Sequence, residues 1–247
     1  MIDTTLSKSR ILVTGAGSGL GKYIAQRLDC VALIRDNRKE ILTKYKTKPF
    51  DVIIHCAFNS SKDVRGYYDY VQDNIFLTKD LTLLPHHKFI FISSVDIYRE
   101  EESSYKTSKL MAESIVENLG SRPLILRCGA ILGETMRKNT LLKIAEDEVP
   151  ETSLSKESTF NYVLQEDILD FIGTAYQNNY NGIVDFVSAG NISLDKVAKL
   201  LKKDVEFGSY TYESPAIPNQ ELVTVFPKAA LTSENNIQRF LRNYNNG

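Results

Sequence analysis

The stretch from Arg10 to Leu28 constrains the fold of this chain more than any other. Arg10-Ile-Leu-Val-Thr14 is a short apolar run rich in β-branched residues. Gly15, Gly17, Gly19 and Gly21 follow at once, and a helical pattern then runs through Ile24, Ala25 and Leu28. A strand, a glycine turn and a helix in immediate succession open a unit of the kind that binds dinucleotides. Glycines let the backbone approach a pyrophosphate closely, and a helix N-terminus offers it N–H groups and a positive dipole end. The spacing is not that of G-x-G-x-x-G, because Leu20 stands where the last glycine belongs. It fits Thr-Gly-x-x-x-Gly-x-Gly.

The same strand and helix rhythm continues for more than a hundred residues. Cys30 to Asp36 reads as the second strand, ending about twenty residues after the first glycine, where such folds select the ribose. Asp36 suits a ribose 2′-hydroxyl and NAD, whereas Arg35 suits a 2′-phosphate and NADP; we favour NADP, with a solvated Arg-Asp pair as the alternative. A helix is expected from Arg38 to Tyr45, a buried strand over Pro49 to Ala57, and a long helix from Gly66 to Leu84 that carries Asn74. Lys88 to Ile92 is a further buried strand, delivering Ser93, Ser94, Val95 and Asp96 at its carboxyl end, where open α/β sheets place their ligands. Another helix and the strand Pro123 to Cys128 follow. Strands alternating with helices imply an α/β fold, a doubly wound parallel sheet covered on both faces.

From about Gly133 the pattern changes. Met136 to Ser158 is polar and charge-rich, a mobile loop and helix beside a substrate or a plain surface excursion. Regular elements resume with Phe160 to Val163, a helix from Glu166 to Gln177, a strand from Ile183 to Val187 and helices over Leu194 to Leu201 and Glu234 to Arg242. The expected division is a cofactor-binding domain over 1–133 with parts of 159–190, and a small α/β lobe over 134–158 and 191–247.

Chemistry concentrates in Ser104 to Glu113. If this stretch is helical, Tyr105 and Lys109 stand one turn apart on one face, a phenol beside an ammonium. A nearby cation favours phenolate, which suits proton transfer near neutral pH. With 30 basic and 31 acidic residues among 247, the chain has a formal charge of −1, so no overall field recommends nucleic acid or an acidic membrane as partner. No apolar run is long enough to span a bilayer and the N-terminus lacks a signal-peptide core, which gives a cytoplasmic expectation. Cys30, Cys56 and Cys128 lie far apart in or beside expected strands and read as buried, reduced thiols. His86 and His87 make no closed metal site, and no metal is expected. Arg137 and Lys138 read as a solvated basic pair, with a substrate diphosphate as the alternative role, and Glu100 to Glu102 suit the positive end of the following helix.

Together these residues resemble the short-chain dehydrogenase/reductase superfamily, most of all its extended branch of nucleotide-sugar epimerases, dehydratases and reductases. The resemblance covers nearly the whole chain. It runs through Thr14 to Gly21, the strand Asp51 to Ala57 with its His-x-Ala ending, Asn74, Phe91 to Tyr98, Tyr105-Lys-Thr-Ser-Lys109, Leu126 to Gly133 and Tyr162 to Asp167. It implies that Tyr105 is the general acid/base, that Lys109 lowers its pKa and holds the nicotinamide ribose, and that Ser94 bonds the reacting oxygen. It further implies that Gly15, Ser18, Gly19 and Leu20 line the pyrophosphate, and that Cys56, Ala57 and Phe58 pass beside the ribose and nicotinamide. Two helices, from Gly66 and from Tyr105, carry apolar residues beyond one face, as in the family's homodimers.

The departures narrow the activity. Dehydratases of this branch carry Thr-Asp-Glu where this chain has Ser94, Val95 and Asp96, so elimination lacks its acid. The segment from Asp36 to Asp51 is too short for the extra strand whose acidic residue contacts adenine. The expected function is therefore hydride transfer on a nucleotide-activated sugar, either 4-keto reduction or C4 epimerisation. The alternative is a non-catalytic dinucleotide sensor.

Overall fold

The computed structural model describes residue 6 and residues 9–60, 67–147 and 150–244. The chain divides into two compact units, Met1–Arg127 with Ile168–Val184, and Cys128–Asp167 with Asp185–Gly247.

The first unit is built on a six-stranded sheet. Its strands are β1 (Ile11–Thr14), β2 (Cys30–Leu33), β3 (Phe50–His55), β4 (His86–Ser94), β5 (Leu124–Cys128) and β10 (Gly182–Phe186), in the order β10-β5-β4-β3-β1-β2. β1 pairs in parallel with β2, Ile11 opposite Cys30, and with β3, Ile11 opposite Val52; β3 pairs in parallel with β4. The doubly wound parallel sheet expected from the sequence is thus present. Unbroken runs such as Phe89-Ile-Phe-Ile92 form these strands because both of their faces are covered.

Side-chain alternation assigns those faces. Leu12, Leu33, Ile53, Phe89, Phe91 and Ile125 form one core with Ile41 of α2 (Arg38–Lys44), Leu77 and Leu81 of α4 (Leu77–Thr82), and Ala112 and Val116 of α5 (Ser104–Glu117). The crossover from β1 to β2 runs toward the opposite edge, so right-handedness puts α1 (Gly19–Ala25) on the other face. Only α2 lies between β2 and β3, which leaves β2 as the sheet's edge.

The long helix expected from Gly66 differs in kind. Gly66 lies outside the described residues. From there the chain forms α3 (Tyr67–Tyr70), a π-helical segment (Val71–Phe76) and α4. β4 begins at His86 rather than Lys88, so the histidine pair opens a strand instead of sitting in a loop. All three cysteines are free, but only Cys128 is buried; Cys30 and Cys56 are half-exposed, because β2 is an edge strand and Cys56 lies just past the end of β3.

The second unit holds three two-stranded sheets: β6 (Ala130–Leu132) with β9 (Tyr162–Leu164), β12 (Glu206–Tyr210) with β7 (Glu151–Leu154), both parallel, and β11 (Ile192–Ser193) with β8 (Thr159–Phe160), antiparallel. Asn161 separates β8 from β9, so two short strands share the regular stretch expected from Phe160 to Val163. Leu132, Tyr162 and Leu164 pack with Leu141 and Ile144 of α6 (Thr140–Glu146), Leu194 and Val197 of α8 (Leu194–Leu201), and Ile237 and Phe240 of α10 (Ser233–Tyr244). Arg239 of α10 forks onto Asp167, at 2.6 and 3.0 Å, and reaches Glu166 at 2.5 Å; both acids lie at the start of α7 (Gln165–Gln177). α9 (Gln220–Val225) completes the unit.

Candidate active site

α5 explains why Tyr105 and Lys109 stand where they do. Ser103 caps it, its hydroxyl accepting from the Lys106 N–H at 3.1 Å. The buried side chains of α5 are Ser108, Lys109, Ala112, Glu113 and Val116, so the face turned inward carries a lysine, a serine and a glutamate among its apolar residues. That is costly unless each is partnered. Lys109 Nζ donates to the Ile92 carbonyl at 2.7 Å, two residues before Ser94 on β4. It also lies 3.7 Å from the centre of the Phe58 ring, 4.9 Å from Phe91 and 5.9 Å from Tyr105. Phe58 meets the Tyr105 ring edge-on at 5.7 Å.

Glu113 is held from two sides. Ser93 donates to its Oε1, and the Arg127 guanidinium binds both carboxylate oxygens, with Nη2 at 2.6 Å. Arg127 Nη1 donates to the Tyr98 hydroxyl at 2.5 Å. Burial opposes the Arg127 charge, but Glu113 more than offsets it and raises its pKa above the ordinary value. This pair ties α5 to β4 and β5. Ser94, at the end of β4, accepts from the Asp96 N–H at 3.2 Å, and its own proton stays available to a further acceptor.

A buried polar chain runs beneath the site. The Ala57 N–H donates to Thr14 Oγ1 at 3.0 Å, which directs the Thr14 proton to His55 Nδ1 at 2.8 Å. His55 Nε2–H then donates to Thr78 Oγ1 at 2.9 Å, and Thr78 to the Asn74 carbonyl at 2.5 Å. Burial first, then Lys109 and Arg38, pull the His55 pKa down to about 3, so the ring is neutral as this chain of bonds requires. Asn74 sits in the π-helical segment, a frequent feature of functional sites. Its amide accepts from the Asn59 N–H at 2.7 Å and donates to the Asn59 carbonyl at 3.1 Å and to Ser108 Oγ at 3.3 Å. The sequence marked His55 only through His-x-Ala, and gave no signal for Thr14 and Thr78 as its partners or for Asn59 and Ser108 as the partners of Asn74.

The glycine turn is built for close approach. A Cβ on Gly15, at φ +71°, would stand 2.9 Å from the Ala57 nitrogen, and one on Gly21 would stand 2.5 Å from the Gly15 carbonyl. Gly19 differs: at φ +59° it has no atom within 4 Å of a Cβ position, so open space lies at the start of α1. Ser18 is the residue before α1 and makes no side-chain capping bond there. Leu20 turns its side chain into the core at 7% exposure, which leaves only its backbone for a ligand. Arg35 and Asp36 lie just past β2, Arg35 pairing with Asp73 at 2.9 Å. Both line a groove of about 630 Å³ with Arg38, Lys39 and Asp80, away from Ser94, Tyr105 and Lys109. Among the described residues no cluster of three His, Cys, Asp or Glu forms a metal site, and no helix is long and apolar enough to cross a membrane. Lys138 pairs with Glu146 and Asp147. Of the acidic run before α5, Glu101 pairs with Arg99 and Glu102 with Lys106, so ion pairs occupy side chains expected to serve the helix dipole.

No family sequence model matches this chain, and no curated protein matches it in sequence. Solved structures do match. UDP-glucuronic acid 4-epimerase from Bacillus cereus, in complex with UDP-glucuronic acid and NAD, aligns with a TM-score of 0.73 at 17% identity, covering 94% of this chain and 97% of that one. An NAD-dependent NDP-hexosamine 5,6-dehydratase involved in tunicamycin biosynthesis aligns at 0.76 and 15%, covering 97% and 99%. RMD from Pseudomonas aeruginosa, complexed with NADPH, aligns at 0.72 and 17%, covering 89% and 93%. This chain has their fold. In such a fold the glycine turn and the carboxyl end of β4 lie at the same end of the sheet, because parallel strands end there.

Proposed function

We propose that this chain is a nicotinamide-dependent enzyme of the extended short-chain dehydrogenase/reductase type, acting on a nucleotide-activated sugar by 4-keto reduction or C4 epimerisation. The observation that carries the reading is the placement of Tyr105 beside the Lys109 ammonium, which is itself hooked to β4 two residues before Ser94. The residues present fit the cofactor: Gly19 leaves room at the turn for a phosphate, where any larger residue would project a Cβ. Gly15, Ser18, Gly19 and the Leu20 backbone would hold the pyrophosphate, Arg35 or Asp36 the adenosine ribose, and Cys56, Ala57, Phe58, Asn74 and Lys109 would flank the remainder. When bound, the nicotinamide gives or takes a hydride.

The chain's own residues handle the proton. Tyr105 transfers it to or from the sugar oxygen, the Lys109 ammonium stabilises the phenolate, and Ser94 donates a hydrogen bond to the same oxygen. Asp96 is the one carboxylate of the Ser94-Val95-Asp96 strand end, so water elimination ranks below hydride transfer. The first unit would carry the cofactor and the second the sugar. Exposed Phe76, Leu83, Leu110 and Met111 on the α4 and α5 side favour a homodimer through those helices. NADP is the cofactor we favour.

The test is turnover on a panel of UDP-, dTDP- and GDP-hexoses and their 4-keto forms with NAD⁺ or NADPH. Tyr105→Phe is expected to lower turnover at least about a hundredfold while leaving cofactor affinity nearly unchanged. Full turnover in that variant overturns the assignment; cofactor binding without turnover by the wild-type chain on any member supports the sensor reading instead.

A further inference from the structure

The loop after β3 holds a residue, Phe58, to which the proposed function gives a place beside the cofactor but no part in proton transfer. Phe58 lies between two pinned backbone positions: the Ala57 N–H is bonded to Thr14 Oγ1, and both backbone groups of Asn59 are bonded to the Asn74 amide. Its ring is therefore placed, and it is placed face-on to the Lys109 ammonium at 3.7 Å and edge-on to Tyr105 at 5.7 Å. Lys109 is 3% exposed. An aromatic face is among the few apolar surfaces that compensate a desolvated cation, through its quadrupole. A ring at that position takes up volume beside the ammonium that water would otherwise fill, and a drier space strengthens the pull of one charge on the other.

We propose that Phe58 is a positioning residue for the Tyr105–Lys109 pair: its ring fixes the ammonium beside the phenol and shields their interaction from water. This rests on the reading of Tyr105 and Lys109 as the acid–base pair. Other titratable groups on elements packed against this end of α5 include Tyr68, Asp69 and Tyr70 on α3, Asp73 in the π-helical segment, and Asp96 and Tyr98 after β4, and His55 on β3 lies against Phe91. Asp73 is engaged by Arg35 and Asn59, Tyr98 by Arg127, and His55 is neutral.

The experiment needs no substrate. Tyrosinate absorbance is followed against pH in the full chain, and the Tyr105→Phe titration is subtracted to isolate Tyr105. Phe58→Leu is expected to move that ionisation about half a pH unit or more to the alkaline side; Phe58→Tyr, which keeps the ring, is expected to restore it once the titration of the Phe58→Tyr/Tyr105→Phe double variant is subtracted to remove the added phenol. A role confined to filling space would lower thermal stability without moving the titration, so an unshifted curve in a folded Phe58→Leu chain overturns the proposal. If Leu prevents folding, Phe58→Met supplies the same comparison. Calorimetry with NAD⁺ and NADP⁺ on the wild-type chain is run alongside. Failure to bind either overturns the enzymatic reading, and the titration still decides Phe58.

Discussion

The two ends of the central sheet each bury a lysine, and they treat it differently. At the amino end of β4, Lys88 is 4% exposed, and its Nζ donates to the Tyr180 carbonyl, to Asn181 Oδ1 at 2.6 Å and to the Arg122 carbonyl at 3.4 Å. Its three N–H groups meet three neutral oxygens that replace lost water, and burial pulls its pKa down. Toward the carboxyl end, Lys109 is as deeply buried, donates to the Ile92 carbonyl and lies against the faces of Phe58 and Phe91 beside a phenol. Lys88 is a staple between loops. Under the proposed function, Lys109 would hold its charge toward the phenol of Tyr105. Burial alone does not tell a structural lysine from a chemical one; the partners do.

Replacing each lysine by methionine is the most direct way to break this comparison. Lys109→Met is expected to cost about 10²- to 10⁴-fold in turnover, because the phenolate loses its cation. Turnover within tenfold of wild type would put Lys109 in the same class as Lys88. Lys88→Met leaves acceptors from three residues to water or to nothing, a loss of about 2–4 kcal/mol in urea unfolding, with activity per folded molecule retained. Equal losses of stability in both variants would erase the distinction.

The pH dependence of stability sharpens it further. His55 belongs to the network under Lys109, and its imidazole is pulled down to about 3. An unfolded histidine takes a proton near 6.5, so between these values the unfolded chain binds a proton that the folded one does not. The stabilisation is complete above about 6.5 and is lost as pH falls toward 3, at up to about 1.4 kcal/mol per pH unit. Urea unfolding from pH 7 to pH 4 is expected to show this slope, and His55→Gln, less stable at pH 7, is expected to lack it. A slope common to both chains would assign acid sensitivity to carboxylates instead.

How much of this was legible in the sequence follows from what each feature depends on. Phe89 to Ile92 announced itself because a doubly covered strand is apolar at every position, and the helix expected over Leu194 to Leu201 has those bounds in the structure, where Ser193 caps it and accepts from the Lys196 N–H. The π-helical turn at Val71–Phe76 leaves no periodicity to detect, since one widened turn sits between ordinary helices. β7 and β12 escaped because both are short and mostly exposed, without the apolar alternation that marks a strand. The Lys88 staple depends chiefly on backbone carbonyls from two loops, which no residue type encodes. Tyr105 and Lys109 were visible as a spacing; the Phe58 ring against them is a matter of loop geometry.

The smallest expected effect concerns the carboxyl end of β2, where Arg35 pairs with Asp73 while remaining 80% exposed. A surface pair of this kind contributes less than about 1 kcal/mol, so Arg35→Ala is expected to leave the urea midpoint nearly unchanged. Its effect belongs in cofactor choice. If Arg35 meets a 2′-phosphate, the variant loses about tenfold in NADPH affinity, a charge-assisted hydrogen bond's worth, and far less in NADH affinity. A fall in NADH affinity on Asp36→Asn with NADPH untouched by Arg35→Ala reverses the assignment and makes Asp36 the selector. Either result keeps the two ends of the sheet distinct, because the exchange of Lys88 at the amino end is expected to lower stability and leave ligand preference unchanged. A chain in which Arg35→Ala lowers stability as much as Lys88→Met would instead hold its β2 edge together by that pair, and the carboxyl end would be as structural as the other.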